Sequence, residues 1–199
     1  LVKKITEQFH AQTMKKSDLE KFLETAGTAT TMIMGNLRQA YELINSFKMI
    51  AVTESNIKKQ RFNVKELTRE ILMSLHPHLK RVKHKILLEC DEDLEIKSYP
   101  VSFAHIMTNL IMNSLIHGYD KGDAGTITIN VTTKENTFSL IYSDDGKGIE
   151  KNNQEKIFEP FYTTNRAQAG SGLGLHIVYN IVTQTLKGSI QCVSKEYQG

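Results

Sequence analysis

From Leu19 to Ala51 the apolar or small residues fall at Leu19, Leu23, Ala26, Thr30, Ile33, Leu37, Ala40, Ile44, Phe47 and Ala51, in steps that alternate four and three. A helix carries residues so spaced along one narrow stripe, and a stripe sustained for more than four heptads is the seam of a coiled coil or antiparallel bundle. Ser17-Asp18-Leu19-Glu20 reads as a capping box at its start, with Ser17 satisfying a free backbone N–H and Glu20 reaching back. Leu1, Ile5 and Phe9 repeat every four residues, as if ending an earlier helix. Residues 1–56 therefore read as an antiparallel helical hairpin with its first arm cut short. A seam this long cannot bury itself on half a partner, so a homodimer through these N-terminal helices is expected.

Beyond about Lys58 the pattern changes. Asn63 is placed to cap a helix from Val64 towards Lys80 that carries Leu67, Ile71, Leu72 and Leu75. Ile86–Cys90 and Leu94–Tyr99 read as short strands around the acidic turn Asp91-Glu92-Asp93, and a helix follows from about Val101 to His117. Thr126–Thr133 and Thr137–Ser143 alternate as strands and make a hairpin. Leu173–Leu186 reads as helical and Ser189–Ser194 as a last strand. Helices and antiparallel strands in this order indicate an α+β fold, a two-layer α/β sandwich over 57–199.

Composition closes off several classes. The net charge of +3 is modest, and the basic residues sit in local runs such as Lys58-Lys59-Gln60-Arg61, with no continuous stripe. Such runs are usually solvated faces, so no nucleic-acid partner is expected. No apolar run approaches the ~18 residues of a membrane span, so a membrane is reached only through segments outside this chain. Cys90 and Cys192 match no metal spacing and read as buried free thiols of a reducing, cytoplasmic compartment.

Four segments carry chemistry. Asn109, Asn113 and His117 are spaced four apart and share one helix face. Their plain reading is amides bonded to backbone, and their functional reading is an amide oxygen offered to a hard cation such as Mg²⁺. Asp144-Asp145-Gly146-Lys147-Gly148 follows a strand, and a carboxylate there can accept from an exocyclic amine such as the adenine amino group. A plain Asp-Gly turn is the alternative. Ile157-Phe158-Glu159-Pro160-Phe161-Tyr162 is an aromatic patch pinned by proline, which alone would be core. Gly170-Ser171-Gly172-Leu173-Gly174-Leu175 opens a helix, and clustered glycines there suit phosphate. The segment before it is polar loop and no Walker-A sequence occurs, so Rossmann and P-loop binding are excluded.

In this order the four segments resemble the asparagine, first glycine, phenylalanine and second glycine boxes of the histidine kinase ATP-binding domain. That domain lies within the gyrase, chaperone and mismatch-repair ATPase superfamily (the Bergerat fold). The resemblance covers about Asn63 to Gly199, and the seam ahead of it is similar to the second helix of the kinase dimerisation and phosphoacceptor hairpin. It implies that ATP and Mg²⁺ bind, with Asn113 on the metal, Asn109 on the phosphate side and Asp144 on the adenine amino group. Gly146 and Gly148 would leave room for the base, and His117 would add a nucleotide contact. It also implies a lid from Thr163 through Thr164 and Arg166 to Gly170, with Ser171, Gly172, Leu173 and Gly174 lining the phosphates. The implied partners are a second copy of the chain and a response-regulator receiver domain.

Departures from the family pattern stand beside the matches. Ile116 lies where many members carry Lys or Arg. Asp145 stands where Asn is usual, which adds negative charge beside the base. The chain also stops where the family continues into a final core strand. A phosphoacceptor histidine is typically followed by an acidic residue and then, four positions on, by Pro, and none of the seven histidines fits. The acceptor is therefore expected upstream of Leu1, and this chain is expected to hold ATP without phosphorylating itself. Two alternatives remain: a degenerate, non-enzymatic nucleotide-binding dimeric scaffold, and an ATP-driven clamp of the gyrase or chaperone type.

Overall fold

The computed structural model describes residues 2–53, 58–135, 137–163 and 172–195. The chain divides into two compact units, Leu1–Asn45 and Ser46–Gly199. The expected boundary at 56/57 lies outside the described residues.

The first unit holds α1 (Val2–His10) and most of α2 (Lys16–Thr53), which runs through the division between the units. The helix α2 starts earlier than the capping box suggested. Its cap comes from Asp18, whose carboxylate accepts from the Lys15 N–H at 3.1 Å, while Ser17 already lies inside the first turn. Along the seam, Leu23, Ile33, Leu37 and Ile44 are all 58–64% exposed, so α1 does not cover them. The helix forms as the heptad spacing predicts, and its apolar stripe is left open within the described residues.

The second unit begins with β1 (Gln60–Asn63), which the sequence reading passed over, and α3 (Val64–Ser74). Asn63 caps α3 as expected: its side-chain oxygen accepts from the Glu66 N–H at 2.9 Å, and its amide donates to the Glu92 carbonyl at 2.7 Å. The helix stops at Ser74, short of the expected Lys80, and a separate short helix α4 (His76–Leu79) follows. Pro77 has no N–H to continue the ladder and its ring would crowd the carbonyl one turn back.

The two strands flanking the acidic turn, β2 (Lys85–Glu89) and β3 (Glu95–Ser98), do not pair with each other. Instead β3 runs antiparallel to β1, with Phe62 opposite Ile96. The turn between β2 and β3 lies against the start of α3, where Glu92 pairs with Lys65 and Arg69. The main sheet has the order β2-β4-β5, built with β4 (Thr126–Lys134) and β5 (Thr137–Asp144). The β4–β5 hairpin is antiparallel as expected, with Thr128 opposite Ser143, but β2 joins β4 in parallel.

Against this sheet lie α3, α5 (Pro100–Asn113) and, after a long connection, α6 (Gly174–Asn180). The inward residues of β4, Ile127, Ile129 and Val131, are at most 1% exposed and pack with Val64, Ile71, Phe103, Met107 and Ile111. A second cluster joins α5 to α6 through Ile106, Val178 and Ile181. Helices on one face of a mixed sheet give the two-layer α+β sandwich that the element order predicted.

The expected strand at Ser189–Ser194 forms no ladder. Its end is held by side-chain bonds: the Ile149 N–H donates to Ser194 Oγ at 2.9 Å, and Gln154 Nε2 donates to the carbonyls of both Ile149 and Ser194. Cys90 and Cys192 are free and half-buried, and burial pushes both thiols up. Among the described residues no helix is long and apolar enough to cross a membrane.

Candidate functional site

The strand β5 ends on Asp144, and α5 is followed by a π-helical turn, Ser114–Gly118, that comes to meet it. Ser114, 4% exposed, donates its hydroxyl proton to Asp144 Oδ2 at 2.6 Å and accepts from the Tyr142 hydroxyl at 2.8 Å. The other carboxylate oxygen accepts from the Gly146 N–H at 3.1 Å. Asp144 is thereby held from two sides, as an acceptor of fixed direction at the mouth of the sheet. Burial, together with the nearby Asp144 charge, raises the Tyr142 phenol well above its ordinary range, so it stays a donor.

The glycine segment after Asp144 closes onto the same π-helical turn. A Cβ on Gly146 would sit 2.3 Å from the Gly118 carbonyl oxygen, so only glycine allows this approach. The next N–H, of Lys147, donates to that carbonyl at 2.8 Å. Asp145, the departure from the usual Asn, has protein partners of its own. Its Oδ1 turns towards the start of β4, accepting from the Thr126 N–H at 2.6 Å and the Tyr119 hydroxyl at 2.9 Å. Those bonds hold its carboxyl below the usual range, the Thr126 N–H most of all. The ring of Tyr119 stacks on His84 with centroids 4.1 Å apart.

Asn109, Asn113 and His117 follow in order along α5 and the π-helical turn, all half-buried. The Asn109 amide donates to the His105 carbonyl of its own helix at 2.8 Å, which is the plain reading of a buried amide. Its oxygen, however, faces the start of α6, where a Cβ on Gly174 would lie 3.1 Å from it. Asn113 makes no side-chain hydrogen bond among the described residues, so its amide is available. His117 sits in the π-helical turn, where bonding reaches five residues and the four-residue spacing no longer sets the face strictly. Burial, helped by the Lys147 charge, makes it harder to protonate.

The aromatic patch joins the last glycines. Gly172 has φ +67° and a Cβ there would fall 2.5 Å from the Phe161 carbonyl carbon, so its backbone lies directly on that of Phe161–Tyr162. His176 Nδ1 bonds the Phe158 carbonyl at 2.9 Å, and Asn180 holds the other ring nitrogen at 3.0 Å. Leu173, 3% exposed, anchors the start of α6. Thr163 is half-buried at the end of the described part of this connection. Thr164, Arg166, Gly170 and Ser171 lie outside the described residues.

The described parts of the four segments are therefore joined by contacts through α5 and the turn after it. Asp144, Gly146 and Gly118 form one end, Asn109 and Gly174 the other, and Asn113 lies between along α5. Gly148 closes the first glycine segment with φ +76°. Sequence reasoning missed Ser114, Gly118, Tyr119 and Tyr142, which hold Asp144 and the loop after it. Only the position of Ser114 inside the asparagine segment and of Gly118 directly after it could have pointed to them, because their partners are about 30 residues away.

Residues 99–199 match the family model described as histidine kinase-, DNA gyrase B-, and HSP90-like ATPase. Sporulation kinase A of Bacillus subtilis (strain 168) is 27% identical over 153 residues, 76% of this chain and 24% of its own length. The chain thus spans about a quarter of that relative. Among solved structures, the catalytic domain of histidine kinase ThkA in a nucleotide-free form is 27% identical with a TM-score of 0.56, covering 65% of this chain and 82% of that one. A structure of ThkA in complex with the response regulator protein TrrA shares the fold at 22% identity and a TM-score of 0.55, covering 85% of this chain and 45% of that one. With a family model matching over half its length, the chain belongs to the histidine kinase-, DNA gyrase B- and HSP90-like ATPases.

Proposed function

We propose that this chain is the ATP-binding catalytic core of a two-component sensor histidine kinase. The observation that carries the reading is the doubly held Asp144 carboxylate beside the C-terminal end of α5, on the same helix that meets Gly174 through Asn109. A fixed carboxylate suits the adenine amino group, and the close approaches at Gly146 and Gly118 keep side chains out of the space beside it. Gly148 and His117 complete that end. Thr163, Thr164, Arg166, Gly170, Ser171, Gly172 and Leu173 are proposed to lie along the triphosphate with Gly174.

Asn113 fits a Mg²⁺ ligand by its chemistry: a neutral oxygen donor with no protein partner among the described residues. Those residues contain no cluster of three or more His, Cys, Asp or Glu that could hold a metal by itself. The cation would then be shared between one amide oxygen, water and phosphate, which is the usual Mg²⁺ shell. Bound there, it would neutralise charge developing between the phosphates. The chain's own residues orient the nucleotide and exclude misplaced water, and positioning and charge stabilisation supply most of phosphoryl-transfer catalysis.

In the reaction, an imidazole nitrogen of an acceptor histidine attacks the γ-phosphorus, a P–N bond forms, the bridging P–O bond breaks and ADP leaves. The phosphoryl group then passes to an aspartate of a response-regulator receiver domain, the type of partner named for ThkA. None of this chain's histidines has the acceptor motif, so the acceptor is to be supplied in trans. The open seam of α2 supports a homodimer: Leu23 and Leu37 changed together to Glu should give a monomer by sedimentation that still binds nucleotide.

Calorimetry with Mg-ADP should give a dissociation constant in the micromolar range, and Asp144→Asn should weaken it at least tenfold. Radiolabelled ATP should then label an added phosphoacceptor hairpin and not this chain. Binding without transfer would favour the scaffold reading, to which the half-exposed Ile116 in place of a basic residue lends support. No binding would overturn both.

A further inference from the structure

The aromatic segment contains a strained turn. The Tyr162 N–H donates to the Glu159 carbonyl at 3.3 Å, closing a four-residue turn over Pro160 and Phe161. The proline ring holds φ at about −65° at the second position. Phe161, at the third, has φ +65°. A negative φ followed by a positive one makes the turn type II, whose third position is ordinarily glycine or asparagine. Phenylalanine is out of place there, because at positive φ its Cβ crowds its own backbone.

Burial does not account for it. Phe161 is 55% exposed, belongs to neither core cluster, and its ring stacks on no other ring among the described residues. What lies on the turn is Gly172, itself at φ +67°. A Cβ on Gly172 would fall 2.5 Å from the Phe161 carbonyl carbon and 2.7 Å from the Tyr162 carbonyl oxygen, so the two backbones rest against each other. Before the turn, the Phe158 carbonyl is bonded to His176 of α6, which fixes that side. The relaxed alternative is a type I turn, which equally admits proline at its second position and is reached by flipping the Pro160–Phe161 peptide. That flip returns Phe161 to negative φ and re-aims its ring.

We propose that the Glu159–Tyr162 turn is a two-state switch, held type II by the backbone of Gly172 and relaxing to type I when Gly172 draws away. The position of Gly172 is thereby converted, at the surface, into the direction of the Phe161 ring, and the strain at Phe161 drives the release. The switch stands apart from the nucleotide reading, since it needs only that something moves Gly172.

Gly172→Ala imitates withdrawal, because its methyl group cannot share the space taken by Phe161. Proton NMR reads the turn directly. The nuclear Overhauser contact from Pro160 Hα to the Phe161 N–H is strong when the proline ψ is about +120°, as in type II, and weak when it is about −30°, as in type I. It should be strong in the unaltered chain and weak in Gly172→Ala. A strong contact in both, or a weak one in the unaltered chain, would overturn the switch. Urea unfolding supplies a second measure. The unfolding constant of Phe161→Gly should be about three- to tenfold lower than that of Phe161→Ala, since both lose the ring and only alanine keeps the strain. Gly172→Ala should also cost more in the Phe161→Gly background than in the unaltered chain, where release of Phe161 offsets part of the loss. Additive losses, or a Phe161→Ala variant as stable as Phe161→Gly, would overturn the proposal; should Gly172→Ala not fold, the two Phe161 variants alone decide it.

Discussion

Replacing Ser114 by Ala removes one oxygen atom and unmakes two bonds. Asp144 loses a charge-assisted donor at 2.6 Å, and the Tyr142 hydroxyl loses its acceptor at 2.8 Å in a half-buried position. Hydrogen bonds to charged groups contribute about 1.5–3 kcal/mol and an orphaned buried donor costs about 1–3 kcal/mol. Asp144 is exposed enough for water to replace part of its loss, and alanine returns up to about 0.5 kcal/mol of helix propensity. The net expectation is about 2 kcal/mol. Tyr142→Phe removes only the outer bond and leaves Ser114 donating to Asp144, so it should cost about 1 kcal/mol. In the double variant there is no orphaned hydroxyl, and the loss should be smaller than the sum of the two. Urea unfolding of the four proteins gives the cycle, and ADP titration gives the functional side. ADP affinity should fall about five- to tenfold in Ser114→Ala and less than threefold in Tyr142→Phe, because only the first frees the carboxylate to turn; about 1.4 kcal/mol corresponds to tenfold. Additive losses, or a Tyr142→Phe cost as large as that of Ser114→Ala, would refute the chain of bonds as the means by which Asp144 is held.

Further outcomes follow from the same geometry. Gly146→Ala places a methyl group 2.3 Å from the Gly118 carbonyl, so the loop must move off the π-helical turn, and ADP binding should fall at least tenfold while circular dichroism is unchanged. Met107→Ala empties a fully buried position between α5 and the sheet and should cost about 2–5 kcal/mol in urea unfolding. His105 and His117 are both harder to protonate in the fold than in the unfolded chain, mainly through burial and, for His117, also through Lys147. Above the ordinary value of 6.5 both states are neutral and no stability is lost; as the pH falls below 6.5 the unfolded chain takes up protons first, and stability declines until the lower folded values are passed. Urea midpoints at pH 7.5 and 5.5 should therefore differ, and the double change of both residues to Gln should narrow that difference.

What could be read from the sequence was whatever depends on neighbours along the chain. The heptad steps of α2, the Asn63 cap, the β4–β5 hairpin and the periodic faces of α3 and α5 are local, because helix and strand periods place residues a few positions apart on one face. The order of the asparagine, aspartate–glycine, aromatic and glycine segments was likewise sufficient to place the chain in its family. Tertiary structure decided what depends on groups far apart in sequence. Nothing local to β2 says that it pairs in parallel with β4 and leaves β3 to β1, since strand pairing joins backbone groups far apart in sequence. Nothing local to Asp145 says that its carboxylate bonds the Thr126 N–H and the Tyr119 hydroxyl. Ser189–Ser194 alternates like a strand, but alternation supplies only a face, and a ladder also needs a neighbouring strand to pair with. The proposed site residues were visible as separate motifs, whereas Ser114, Gly118 and Tyr142 gained a link to them only when the fold brought them to Asp144 and Gly146.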